Sequence, residues 1–299
     1  MNRHRSFASL RRSLVAGIAA LACLCASGCS GIGFKVANLG VDPRAIASVA
    51  YDADHALALD VHRPRNAGGR APVVVFFYGG SWRNGRREDY RFVGRTLARA
   101  GYVAVVPDYR KAPQVAFPAF MDDAARAVAW TRLHAAEYGG DPSRLYLMGH
   151  SSGAHMAALL GTDGRFLRAV GMQPRELAGV IGLSGPYDFL PIEDPAIRQV
   201  FGPEPEWPLS QPVGFVDGDE PPFLLLQGTA DTLVRPRNAP SLAAKLRAAG
   251  EPVELRMLDG AGHAGVLVAL LRESSPVRRE VTAFIDAPKP AGPPIARSR

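Results

Sequence analysis

Apolar residues along this chain gather in short dense runs, separated by longer stretches in which they recur every three or four positions. Val73–Tyr78, Tyr102–Val106, Leu145–Met148, Ala178–Leu183, Phe223–Leu226 and Val253–Leu258 are such runs. A continuous run such as Val73–Tyr78 is expected where a strand is covered on both faces, and Tyr102–Val106 is expected to be another buried strand. Two earlier segments, Ala47–Tyr51 and Ala56–His62, are strand-like in another way, the second alternating with Leu57, Leu59 and Val61 on one side. Helical spacing appears over Glu88–Ala100, closed by Gly101 as a C-cap, and over Ala119–Tyr138, stopped by Gly139-Gly140-Asp141-Pro142. It returns over Ala239–Ala249, and a final helix is expected to begin near His263. Strands alternating with helices predict an α/β protein with a mostly parallel sheet and helices on both faces. Residues 186–222 break the rhythm with prolines and acids, and predict a loop-rich insertion over whatever site the sheet carries. No pattern organises Gly31 to Pro43, so residues 29–44 are expected to be a tether ahead of one domain over 45–287. The Pro-rich tail, 288–299, is expected to be disordered.

Composition changes this picture little. A chain of 299 residues can bury one large core, and 47% hydrophobic with 21% charged residues is ordinary for a globular protein. The net charge of +7 is partly local, because Arg3, Arg5, Arg11 and Arg12 stand in a segment without acids. Beyond residue 28 there are 31 basic against 28 acidic residues, and no basic cluster interleaved with aromatics, which argues against nucleic-acid binding. The same N-terminal segment predicts export: a basic stretch, then 12 apolar residues over Leu14–Cys25, too few to span a bilayer comfortably. Ala26-Ser27-Gly28-Cys29 follows and resembles a bacterial lipobox, with Ala26 where Leu is usual. The resemblance implies that residues 1–28 are a signal peptide, that Cys29 is lipidated and that the mature protein is membrane-tethered. Ser30, in place of Asp, resembles outer-membrane-sorted lipoproteins. All three cysteines, Cys23, Cys25 and Cys29, lie here, so the domain has neither disulfide nor thiolate metal site.

The chemistry centres on Leu145–Gly161. An apolar run leads into Gly149-His150-Ser151-Ser152-Gly153, which fits G-x-S-x-G, and small and apolar residues at helical spacing follow. A strand turning sharply into a helix exposes the serine hydroxyl and aims the free N–H groups of the helix at the same point. A serine needs an adjacent base, oriented in turn by an acid. In open α/β sheets such groups gather at the C-terminal ends of strands. Asp231 follows the run ending at Leu226, and His263 follows the run ending at Leu258. Each alone is a common loop residue; in the order Ser, Asp, His at successive strand ends they predict a triad. Asp188, after the run ending at Leu183, is the rival acid, and Asp259 stands too near His263 in sequence. Backbone donors for an oxyanion are expected from Ser152 and from Gly79 and Gly80, after the Val73–Tyr78 strand. His150 and His155 are expected to be structural, the first pointing away from the site and the second lying on the new helix.

Taken together, Tyr78-Gly79-Gly80-Ser81-Trp82, Asp108-Tyr109-Arg110, the Ser151 motif, Gly228-Thr229-Ala230-Asp231 and Gly262-His263 resemble the α/β-hydrolase superfamily. Its carboxylesterases with an H-G-G-G-W-like loop are the nearest in pattern, including hormone-sensitive-lipase-like, feruloyl-esterase-like and kynurenine-formamidase-like members. The similarity runs from about Ser48 to Pro288. It implies an α/β-hydrolase fold, a small-molecule ester substrate and no metal or organic cofactor. Tyr78 stands where that loop has His, and Ser81 where it has a third Gly, a change expected to narrow the acyl pocket. Amide hydrolysis by the same machinery, and a non-catalytic binding module on the same scaffold, remain the alternatives. The oligomeric state is not legible.

Overall fold

The computed structural model describes residues 30–41, 46–65 and 70–288. Eight strands, β1 (Ile46–Asp52), β2 (Leu57–His62), β3 (Ala71–Phe77), β4 (Val103–Pro107), β5 (Gly140–His150), β6 (Gly179–Leu183), β7 (Phe223–Gly228) and β8 (Val253–Leu258), form one sheet. Their order is β1-β2-β4-β3-β5-β6-β7-β8. Strand β2 pairs antiparallel with both β1 and β4, and every pairing from β4 to β8 is parallel. The dense apolar runs are the central strands. Every residue of β4, β6 and β7 is buried, as is β5 from Leu145 to His150, and this requires helices on both faces. Strand β8 is one edge, opposite β1, and its residues alternate between half-buried and exposed over most of its length.

The helices are α1 (Ser30–Ala37), α2 (Arg91–Arg99), α3 (Ala119–His134), α4 (Ser152–Thr162), α5 (Gly164–Ala169), α6 (Pro195–Phe201), α7 (Asn238–Ala248), α8 (His263–Leu270) and α9 (Pro276–Asp286). Gly139, at φ 82°, ends the 3-10 turn that follows α3, and the chain passes straight into β5 at Gly140. The glycines and proline there stop the helix as expected, but they open a strand instead of a loop.

Three expectations change. Where a patternless tether was expected, Ser30–Ala37 is helical. Phe34 packs its ring 4.9 Å from that of Tyr90 and 6.5 Å from that of Phe92. Just past the helix, Asn38 donates to the carbonyls of Glu88 and Asp89 and accepts from Phe92 N–H at 2.9 Å, so it caps the start of α2. The single C-terminal helix becomes two, because Ser275 N-caps a second one by accepting from Arg278 N–H at 3.0 Å. The insertion over 186–222 is loop-rich but contains α6, which Asp194 caps through Ala196 N–H at 2.7 Å with Pro195 as its first residue. Residues 1–29, with Cys29, and the tail from 289 onward lie outside the described residues.

Candidate active site

Ser151 stands between β5 and α4 at φ 57° and ψ −127°, a left-handed conformation that non-glycine residues rarely adopt. The neighbouring glycines show what holds it there. A Cβ on Gly149 would lie 2.2 Å from the Gly153 carbonyl oxygen, and one on Gly153 would lie 2.0 Å from that of Phe77. The G-x-S-x-G spacing is therefore a packing requirement: strand β5, helix α4 and strand β3 approach too closely for side chains. Ser151 N–H also donates to Leu183 O at 2.9 Å, fastening the turn to the end of β6.

The loop after β3 closes over this turn. Gly79 passes so near that a Cβ on it would be 3.0 Å from Ser151 Cβ. Gly80 is at φ 140°, and Ser81 and Trp82 are both left-handed, at 55° and 56°. Side chains fix this strained loop. Trp82 donates its indole N–H to His155 Nδ1 at 3.2 Å, and Tyr78 donates its hydroxyl to Asp108 at 2.7 Å. Tyr109 donates to Tyr78 O at 2.9 Å, and Arg110 clasps Asp123 at 2.7 Å. Tyr78, in the position where the related loops carry His, thus joins the loop to the Asp108-Tyr109-Arg110 segment. Ser81 lines the cavity as an exposed residue of its rim. Among the described residues, the N–H groups of Gly79, Gly80 and Ser152 meet no backbone acceptor.

Asp231 and His263 come together from the loops after β7 and β8, with His263 Nδ1 2.8 Å from Asp231 Oδ2. The carboxylate can only accept, so the proton is on Nδ1 and Nε2 is left as the free base of the ring. Asp231 also accepts from Leu233 N–H at 3.0 Å, Val234 N–H at 2.9 Å and Gln227 Nε2 at 3.1 Å. Burial opposes its charge, but the bonds from His263 and Val234 outweigh that and hold the carboxyl below its usual range. The rival acids lie elsewhere. Asp188 accepts from Ser241 at 2.6 Å and its N–H donates to Asn238, away from His263. Asp259 meets Thr229.

Ser151 and His263 line one cavity of about 720 Å³, with no direct hydrogen bond between them. Its walls are mostly apolar: Phe34 from α1, Trp82 from the loop, Phe189 and Ile197 from the insertion, and Leu267 and Leu271 from α8 and just beyond it. Among the described residues one cluster of metal-ligand type, Asp52, His55 and Asp123, is already neutralised by side chains. Arg126 pairs with both of its acids, at 2.7 Å to Asp52, and Arg110 takes Asp123 as well.

The two flanking histidines divide. His155 is structural, accepting from Trp82 on Nδ1 and donating Nε2–H to Ser210 O at 2.7 Å. Burial pushes its pKa down to about 4. His150 does not point away. Its ring lines the cavity, lies 4.8 Å from the His263 ring, and places Nε2 3.1 Å from the His263 carbonyl. Strand alternation suggested the opposite, but the left-handed turn at Ser151 ends the alternation one residue earlier.

A mostly parallel eight-stranded sheet with a serine at a strained strand-to-helix turn, and an Asp–His pair on the loops of the next strands, defines an α/β-hydrolase. Within that class the chain belongs to the BD-FAE family, whose model matches residues 59–246. It is 33% identical over 248 residues to esterase LipQ of Mycobacterium tuberculosis, covering 76% of this chain and 58% of that one. It is 30% identical over 238 residues to a probable isoprenylcysteine alpha-carbonyl methylesterase of Arabidopsis thaliana, covering 72% and 50%. The chain thus spans about half the length of that relative. Among solved structures, a thermophilic esterase from Thermogutta terrifontis superposes with a TM-score of 0.62 at 27% identity, over 73% of this chain and 83% of that one.

Proposed function

We propose that this protein is a serine hydrolase that cleaves carboxylic esters through an acyl-enzyme. The observation that carries the reading is the Asp231–His263 pair at 2.8 Å, opening on the same cavity as Ser151. In the reaction, Ser151 Oγ attacks the acyl carbon while His263 Nε2 takes its proton. Asp231, kept ionised by its donors, holds the Nδ1–H tautomer and stabilises the imidazolium that forms. The oxyanion accepts from the free N–H groups of Ser152, Gly79 and Gly80. His263 then returns the proton to the departing alkoxide, and a water repeats the sequence on the acyl-enzyme. Relatives named as esterases support ester over amide chemistry. The largely apolar walls favour acyl or alcohol groups without charge.

Ser151→Ala should lose at least about three orders of magnitude in kcat on a p-nitrophenyl ester while keeping its circular dichroism spectrum. Near-wild-type hydrolysis by that variant overturns the mechanism.

We also propose that the chain is exported and anchored by a lipid on Cys29, from the order of basic, apolar and small residues in 1–29. Among the described residues no helix is long and apolar enough to cross a membrane. Cys29→Ser should move the protein from the membrane fraction to the soluble one, and an unchanged distribution rejects the anchor.

A further inference from the structure

The residue before the nucleophile is a buried histidine in contact with the base. His150 Nε2 lies 3.1 Å from the carbonyl oxygen of His263, and that oxygen can only accept, so Nε2 carries the proton. The two rings are 4.8 Å apart and inclined by 44°. His150 Nδ1 is buried without a hydrogen-bond partner, on the side where Gly79 passes; a Cβ on Gly79 would come within 3.3 Å of it. The ring is therefore wedged between the oxyanion loop and the first turn of α8. It also fills a gap in the hydrogen bonding. Ser151 and His263 are not bonded to each other, so nothing in their own side chains sets the distance between turn and helix. The bond from His150 to His263 O is the direct hydrogen bond from the segment bearing Ser151 to the residue bearing the base.

We propose that His150 is a positioning residue: its Nε2–H, donated to the His263 carbonyl, sets the start of α8 against the nucleophile turn and thereby the approach of His263 to Ser151. The inference rests on the reading of Ser151 as nucleophile and His263 as base. A neutral ring suits the task, since a cation beside His263 would oppose the charge that ring gains when it takes the serine proton. Burial, and then the neighbouring His263, push the His150 pKa down to about 3, so the ring is uncharged at neutral pH. A misplacement of one ångström between reacting groups costs on the order of a hundredfold in rate, and this bond spans the distance concerned.

The test separates the donor from the bulk of the ring. His150→Met keeps the volume and removes the donor; His150→Gln returns an amide N–H near the place of Nε2. On a p-nitrophenyl ester the Met variant should lose roughly 10- to 100-fold in kcat with KM within about threefold, and the Gln variant should recover most of the loss. The rate of Ser151 labelling by a fluorophosphonate should follow the same ranking, because it reads serine activation without leaving-group effects. Wild-type rates in the Met variant, or equal losses in both variants, overturn the inference. Should neither variant fold, nitrogen NMR of the wild-type imidazoles decides: an Nε2–H tautomer at His150 upholds it and an Nδ1–H tautomer overturns it. Ser151→Ala run alongside distinguishes the failures. An active Ser151→Ala refutes the hydrolase mechanism, whereas an inactive one beside a wild-type-like His150→Met refutes only the positioning role.

Discussion

Ser151 follows a strand that is buried on both faces where it meets the turn, whereas His263 follows β8, a half-exposed edge of the sheet. The two sides of the site are held accordingly. On the serine side every residue of α4 is buried, and glycines at 149 and 153 let backbones meet where no Cβ fits. On the His263 side such an approach occurs at Gly228, where a Cβ would lie 2.1 Å from Ala261 O; beyond it the loops are held by hydrogen bonds that converge on one carboxylate, and Gly260 has open space around it. Packing of the first kind fixes a position to a fraction of an ångström and tolerates no added atom. A hydrogen-bonded loop can shift, which fits the lack of a direct bond between Ser151 and His263 before substrate is bound.

The comparison can be broken most decisively at the acid. Asp231→Asn should keep the fold, because an amide oxygen can still accept from Leu233 and Val234, yet lower kcat by roughly four orders of magnitude, the figure for removing this role in serine proteases. Asp188→Asn should change kcat by less than about tenfold, roughly 1.4 kcal/mol of barrier, and a crippled Asp188→Asn beside an active Asp231→Asn would reverse the assignment. Next in size is a pair of glycines. Gly153→Ala forces a Cβ onto the Phe77 carbonyl, so it should cost more than the ~1–3 kcal/mol of ordinary overpacking and lower Tm by about 10 °C or more. Gly260→Ala meets no atom and bears only the left-handed strain at φ 66°, about 1–2 kcal/mol. Similar Tm values for the two would remove the distinction drawn here.

A titration spreads the effect over several groups, and each contribution is small. Burial holds His62 and His155 near pKa 4 and His150 near 3, whereas the unfolded chain takes up these protons near 6.5. Between about pH 6.5 and 4 the unfolded state therefore binds more protons, so stability falls as pH falls, by about 1–2 kcal/mol per imidazole at pH 5. Asp231, whose folded pKa is depressed, loses its contribution only as pH drops below about 4. Urea midpoints measured from pH 7.5 to 4 should show the imidazole slope first, and His150→Gln should flatten it by about a third. A flat profile over that window would show the histidines to be hydrated.

Much of this was legible in the chain because burial on two faces leaves continuous apolar runs, and β3 to β7 carry them. The order of Ser151, Asp231 and His263 was legible for the same reason, since strand ends could be located. What escaped has specific causes. Helix α1 contains two glycines and weak amphipathicity; it is visible only through the docking of Phe34 and the cap from Asn38. Helix α6 is one short stretch among prolines, although Asp194-Pro195 is a start signal that could have marked it. The contact of His150 with His263 joins residues 113 apart and depends on a left-handed turn between strand and helix, which no periodicity encodes.

The insertion over 186–222 is joined to the rest of the molecule by buried aromatic packing, with Phe201 against Trp82, Phe117 and Phe120, and by a few polar joints. Ser210 O accepts from His155, Asn238 accepts from the N–H groups of Tyr187 and Asp188, and Val200 O accepts from Phe117 N–H. It lends Phe189 and Ile197 to the cavity wall, but neither Ser151, Asp231 nor His263. Exchanges at Phe189 and Ile197 would therefore reshape what the cavity admits without replacing a proton-transfer group, whereas exchanges at Phe201 would reach the oxyanion loop through Trp82.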